Sequence, residues 1–110
     1  DVFDVRLSRD PAQRDQEVAA IYDHFLDGIL GEEALTGIYL WGCGDRASWY
    51  NTYVRRVMPD RLPEADWKSR PLLFDEAYRA KPAYFAIART LREVSIRGRE
   101  KESDPEVFTL

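Results

Sequence analysis

The chain has 110 residues, one small domain by length, with 45% hydrophobic and 33% charged residues and a mean hydropathy of −0.50; this balance excludes a disordered tail, a collagen-like repeat and a membrane protein. Sixteen Lys plus Arg against 20 Asp plus Glu give a net charge of −4 and a pI near 5.0, so the basic footprint of a general nucleic-acid binder is missing. One cysteine, Cys43, and one histidine, His24, exclude an intrachain disulfide, a Cys/His zinc site and a histidine-based triad.

Asp1 opens the chain with no Met, no charged n-region and no apolar h-region, which predicts a polypeptide without a signal peptide, either processed or a piece of something longer. Residues 1–7 alternate polar and apolar side chains, the pattern of a short strand end. Asp10-Pro11-Ala12-Gln13 then reads as a helix start: Asp10 accepts from an orphan N–H, Pro11 suits the first helical position and Gln13 completes a capping-box spacing. The helix is predicted over 11–30. Val18, Ile21, Tyr22, Phe25, Leu26 and Ile29 form its apolar stripe, His24 lies on the solvated side and Gly31 supplies the stop.

The run from Leu35 to Cys43 is nearly all apolar, too short for an independent helix and bounded by glycines, so a strand buried on both faces is expected. Cys43 then reads as an inert buried thiol. Residues 44–80, punctuated by Pro59, Pro63 and Pro71 and without a sustained period, read as a long loop that caps a site or serves one. A last helix starts at Lys81-Pro82, presents Tyr84, Ile87, Ala88, Leu91 and Val94 as its core face, and stops near Gly98. The residues after it read as a charged tail or linker. Helix, buried strand, loop and helix make an α/β segment whose sheet needs neighbouring strands.

The densest feature is Trp41-Gly42-Cys43-Gly44-Asp45-Arg46-Ala47-Ser48-Trp49, two indoles around a turn at the C-terminal end of the expected strand, where α/β folds place their sites. Indoles there suit the C–H faces and hydroxyls of a sugar ring; packing of both in a core is the competing role. Asp45 is either a site carboxylate or, with Ser48, a turn and cap residue. Arg46 bonds to a ligand or is a solvated loop charge. Asp75 and Glu76 are adjacent and point apart, so they make no facing acid/base pair, and Arg55-Arg56 is too small a basic cluster for phosphate.

Trp41-Gly42-x-x-Asp45-x-x-Ser48-Trp49, followed by Pro71-Leu72-Leu73-Phe74-Asp75 and Lys81-Pro82-Ala83-Tyr84, resembles the C-terminal end of family-10 glycoside hydrolases, the endo-β-1,4-xylanases. The resemblance implies a (β/α)8 TIM barrel of which this chain is the C-terminal segment: the end of strand 7, helix 7 at 11–30, strand 8 at 36–43 and helix 8 at 82–96. It divides the chain into a barrel portion, 1–96, and a tail, 97–110. It implies retaining hydrolysis of xylan by two glutamates that lie outside this chain. Retaining chemistry needs two carboxyl groups about 5–5.5 Å apart, and such a barrel takes about 250 residues.

Carried over by position, the resemblance makes Trp41 and Trp49 the lining of the subsite at the scissile sugar, with Arg46 as a further substrate contact. Asp45 and Ser48 hold that loop, and Asp1 becomes the carboxylate, two positions after the nucleophile, that orients and tunes it through a histidine elsewhere in the barrel. No cofactor or metal is implied. The implied partners are xylan or a xylo-oligosaccharide and the rest of the barrel, in a secreted or periplasmic setting. The rival from another class is a self-associating carbohydrate-binding or structural module that pairs its open strand edge with another copy.

Overall fold

The computed structural model describes residues 2–102, with side chains through Val94. Asp1 and residues 103–110 lie outside the described residues, and with them the role expected of Asp1 and most of the expected tail.

Helix α1 spans Pro11–Ile29 and begins as its sequence dictates: Asp10 stays extended and its Oδ2 accepts from Gln13 N at 3.0 Å, while Pro11 occupies the first turn. It ends one residue early, with Leu30 N–H donating to Leu26 O, and no glycine uses a positive φ there. Helix α3 spans Pro82–Glu102 and runs past Gly98, since one glycine inside a helix costs only about 1 kcal/mol against alanine.

The two helices pack through small residues. Ala83 and Ala86 of α3 meet Val18, Ala19 and Tyr22 of α1, and Val2 and Leu73 close the cluster. Thr90 Oγ1 donates to Asp23 Oδ1 at 2.9 Å further along the seam. The expected core stripe of α3 is therefore rotated: Ala83, Ala86 and Thr90 are buried, whereas Tyr84, Ala88 and Leu91 are exposed, while on α1 Val18, Tyr22 and Leu26 are buried as expected. Only Ile21 and Phe25 of the expected α1 stripe are exposed. Alanines win the helix seam because only they let two backbones approach closely, which leaves the bulky stripe facing outward.

Among the described residues there is no β-strand. The segment 31–40 starts with a turn, then runs without regular structure, and is exposed throughout, and Cys43 is exposed too, against the expected buried strand and buried thiol. A buried parallel strand needs hydrogen-bonded neighbours on both edges, and residues 31–42 find none here. Pairing begins only at the end of the run. Phe74 N donates to Cys43 O at 3.0 Å and Asp45 N to Phe74 O at 2.9 Å, a single parallel bridge; Phe74 and Ala80 form a second, antiparallel one. Residues 2–7 are not a strand either. Burial does not follow their polarity, for Val2 and Asp4 are buried and Phe3 is exposed.

The 44–80 connection is not structureless. A 3-10 turn at Asp45–Ala47 leads into a π-helical turn, Tyr50–Val54, continued by the short α2, Arg55–Val57, and by a 3-10 turn at Pro59–Arg61. These turns bury a second small core of Tyr50, Val54, Leu62 and Trp67.

Candidate functional site

The loop carrying both indoles is anchored by charge. Asp45, fully buried, accepts from Leu72 N at 2.9 Å through Oδ1 and meets Lys81 Nζ at 2.8 Å through Oδ2. Lys81 completes its donors on the carbonyls of Arg70, 2.7 Å, and Leu72, 2.9 Å. Burial pushes the Asp45 carboxyl up, and the Lys81 ammonium opposes that shift.

The anchor is part of a larger buried ionic group. Asp15 holds Arg70 bidentately at 2.7 and 2.8 Å and lies 3.7 Å from Lys81 Nζ. Asp4 accepts from Arg70 N at 2.6 Å and sits 3.4 Å from Arg14 Nε. Arg14 in turn donates to the carbonyls of Ser8 and Lys68, both at 2.9 Å, and lies 4.0 Å above the Trp67 ring. Three carboxylates, Asp4, Asp15 and Asp45, balance three cations, Arg14, Arg70 and Lys81. Burial also raises the Asp4 carboxyl, against the Arg70 N–H and the Arg14 charge.

These side chains replace a sheet. The backbone of 68–72 is satisfied by side chains instead of a neighbouring strand: Tyr22 Oη donates to Pro71 O at 2.7 Å, and Asn51 brackets Ser69, giving to its carbonyl at 2.7 Å and accepting from its N–H at 2.9 Å. Asn51 Nδ2 also donates to Asp45 O at 2.8 Å. Ser48, buried, accepts from Asn51 N at 3.2 Å through Oγ, as a turn residue does. Asp45 and Ser48 are thus brought into one network, and neither faces solvent.

The remaining named residues face outward. Trp41 is 82% exposed, and Arg46 is exposed beside Asn51, Arg55 and Lys68 on the rim of a polar hollow of about 390 Å³. Trp49 is half-buried, stacked on Tyr53 with centroids 5.8 Å apart and edge-on to Tyr50 at 5.4 Å. His24 is exposed on α1, as expected. Sequence reasoning missed the network of Asp4, Arg14, Asp15, Arg70 and Lys81, whose partners lie as far apart as Asp4 and Arg70, 66 residues, and carry no local signature of it.

Asp75 caps the turn that follows. Its Oδ1 accepts from Ala77 N at 2.8 Å and Arg79 N at 2.9 Å, and these bonds hold its carboxyl below the usual range. Among the described residues no group of His, Cys, Asp and Glu is placed to hold a metal ion, and no helix is long and apolar enough to cross a membrane.

Residues 2–90 match the family Glycosyl hydrolase family 10. The chain belongs to that family. Glycosyl hydrolase family 10 is a TIM-barrel family of glycoside hydrolases, and the helical segment described here is the chain's part of it. A relative named endo-1,4-beta-xylanase B, from Thermotoga neapolitana, is 29% identical over 75 residues, covering 68% of this chain and 18% of its own length. The chain therefore spans under a fifth of that relative. No solved structure matches it.

Proposed function

We propose that this family-10 chain is the C-terminal segment of a xylanase barrel, comprising the end of strand 7, helix 7, strand 8 and helix 8, and that it supplies the aromatic sugar-binding wall of the active site. Trp41 lies under the sugar at the scissile bond, Trp49 reaches in from the loop, and Arg46 adds a polar contact. Asp45 and Ser48 hold the loop in place. Asp1 orients the nucleophile from behind. The observation that carries the reading is the contrast within one loop: Asp45 and Ser48 are sealed and bonded, while the Trp41 indole three residues away from the Gly44 turn is 82% exposed. An immobilised backbone presenting an unpartnered indole is the arrangement a sugar platform needs.

Alone, the chain hydrolyses no xylan, because the two glutamates of the retaining mechanism come from the rest of the barrel. Mixed with a polypeptide carrying that remainder, it restores activity, and Trp41→Ala in the assembled barrel lowers kcat and kcat/KM together. Reducing-sugar release by the chain alone, or wild-type kcat per active site in the Trp41→Ala assembly, overturns the proposal.

One observation favours a second reading. An apolar groove of about 680 Å³, lined by Phe3, Ile21, Phe25, Ile38, Leu40 and Leu91, stays open between the helices and the 36–40 segment. A self-associating module would bury it against another copy. Sedimentation separates the two: a stable oligomer of the isolated chain favours the second reading, a monomer the first.

A further inference from the structure

Tyr78 is the one described non-glycine residue with a positive φ, at +59°. That is the left-handed region, where a Cβ crowds the following carbonyl and where glycine or asparagine ordinarily sits. The turn around it is heavily specified. Tyr78 N donates to Asp75 O and Asp75 N donates to Arg79 O, both at 2.9 Å, and the Asp75 carboxylate accepts from Ala77 N, Arg79 N and, at 3.1 Å, Arg79 Nε. All of these bonds would form equally well with glycine at position 78. The turn does not need a tyrosine, and the tyrosine strains it.

Nor does the core need it, for the side chain is 55% exposed. What the ring does meet is the backbone of Gly44: a Cβ added there would lie 2.6 Å from Tyr78 Cε1 and 3.0 Å from Cδ1. Gly44 directly precedes Asp45 and is three residues after Trp41, so the Cδ1–Cε1 edge of the ring lies against the loop that presents the exposed indole. Left-handed strain held in place by surrounding bonds is found preferentially at ligand-contacting sites, and here it carries a half-exposed ring. An aromatic face open to solvent on one side offers the C–H surface of a pyranose a platform.

We propose that Tyr78 is a specificity-determining ring of the same sugar-binding wall, receiving a neutral sugar unit of a β-1,4-linked chain next to the one over Trp41. This rests on the reading that the 41–49 loop faces the sugar. The ring's position is set by Gly44, which leaves room for it, and by the Asp75 turn, which aims it.

The test is an NMR titration of the full chain with xylohexaose, on the wild type, Tyr78→Gly and Trp41→Ala, beside thermal melts. Tyr78→Gly relieves the left-handed strain, so its melt equals or exceeds that of the wild type while affinity falls roughly three- to tenfold. In the wild type, signals of the Trp41 indole and the Tyr78 ring both move. Gly44→Ala, which displaces the ring without removing it, weakens binding as Tyr78→Gly does. If Tyr78→Gly binds as the wild type while Trp41→Ala loses affinity, the Tyr78 assignment is overturned and the Trp41 reading stands. If only Tyr78→Gly weakens binding, Tyr78 stands and the Trp41 platform falls. A lowered melt with intact affinity in Tyr78→Gly assigns the ring to loop packing and overturns the proposal. No movement at either ring overturns both.

Discussion

Lys81 and Asp45 meet at 2.8 Å with both side chains sealed from solvent, joining the first residue before α3 to the turn that carries the indoles. Removing Lys81 leaves the Asp45 carboxylate buried without its counter-charge, and removing Asp45 leaves Lys81 only the longer contact with Asp15 at 3.7 Å. Lys81→Met is expected to cost about 3–5 kcal/mol, and Lys81→Met with Asp45→Leu distinctly less than the sum of the two single changes. Urea unfolding of the three variants measures this coupling; strict additivity would mean that the pair does not anchor the loop.

Tyr22 gives a pH dependence with a definite sign. Burial, with the Asp45 charge behind it, pushes its phenol up to about 12 from an ordinary value of 10, and its hydroxyl donates to Pro71 O. Below pH 10 both the folded and unfolded chains hold the proton, and the contribution is whole. Between 10 and about 12 the unfolded chain loses the proton first, so stability falls as pH rises, by up to about 3 kcal/mol. Tyr22→Phe should cost about 1 kcal/mol at neutral pH and flatten that alkaline decline. Unfolding midpoints of both chains from pH 8 to 12 check the slope.

The tryptophans separate in stability. Trp41→Ala should change the melt by no more than about 0.5 kcal/mol, because the ring packs on little. Trp49→Ala loses the Tyr53 stack and the Tyr50 edge contact, and about 1–3 kcal/mol with them. Thermal denaturation of the isolated chain distinguishes them, and equal losses would show that Trp41 is packed.

What was legible in the sequence had a local cause. The start of α1 is written in Asp10, Pro11 and Gln13, all within four residues, and the structure uses the Asp10 cap as read. The 36–43 segment has the composition of a buried strand, yet strand formation depends on partners that no pattern within those residues can supply. The ionic group under the loop was invisible for a related reason: Asp4 finds Arg70, and Asp45 finds Lys81, only after the chain has folded back on itself. Asp45 and Ser48 were readable as turn residues from their spacing, but not as members of a network with Asn51 and Ser69.

The groove predicts behaviour of the free chain. Phe25→Lys with Leu91→Lys should leave the melt within about 1 kcal/mol, since both side chains are exposed, and should reduce binding of a hydrophobic dye. Unchanged dye binding would place the accessible apolar surface elsewhere.

Beyond Glu32, whose N–H donates to Ile29 O, the connection up to residue 40 makes no backbone bond to the rest of the fold, and what joins the two sides of it is side-chain chemistry: Arg14 to Lys68, Asp15 to Arg70, Tyr22 to Pro71, Asp23 to Thr90. A protease has its easiest access there. Severing the peptide in that stretch would turn intramolecular ties into intermolecular ones without removing any of them. The two pieces, one bearing α1 and the other the indole loop with α3, should stay together as a noncovalent heterodimer whose survival depends on dilution, so that the nicked protein acquires a concentration-dependent melting temperature that the intact chain lacks.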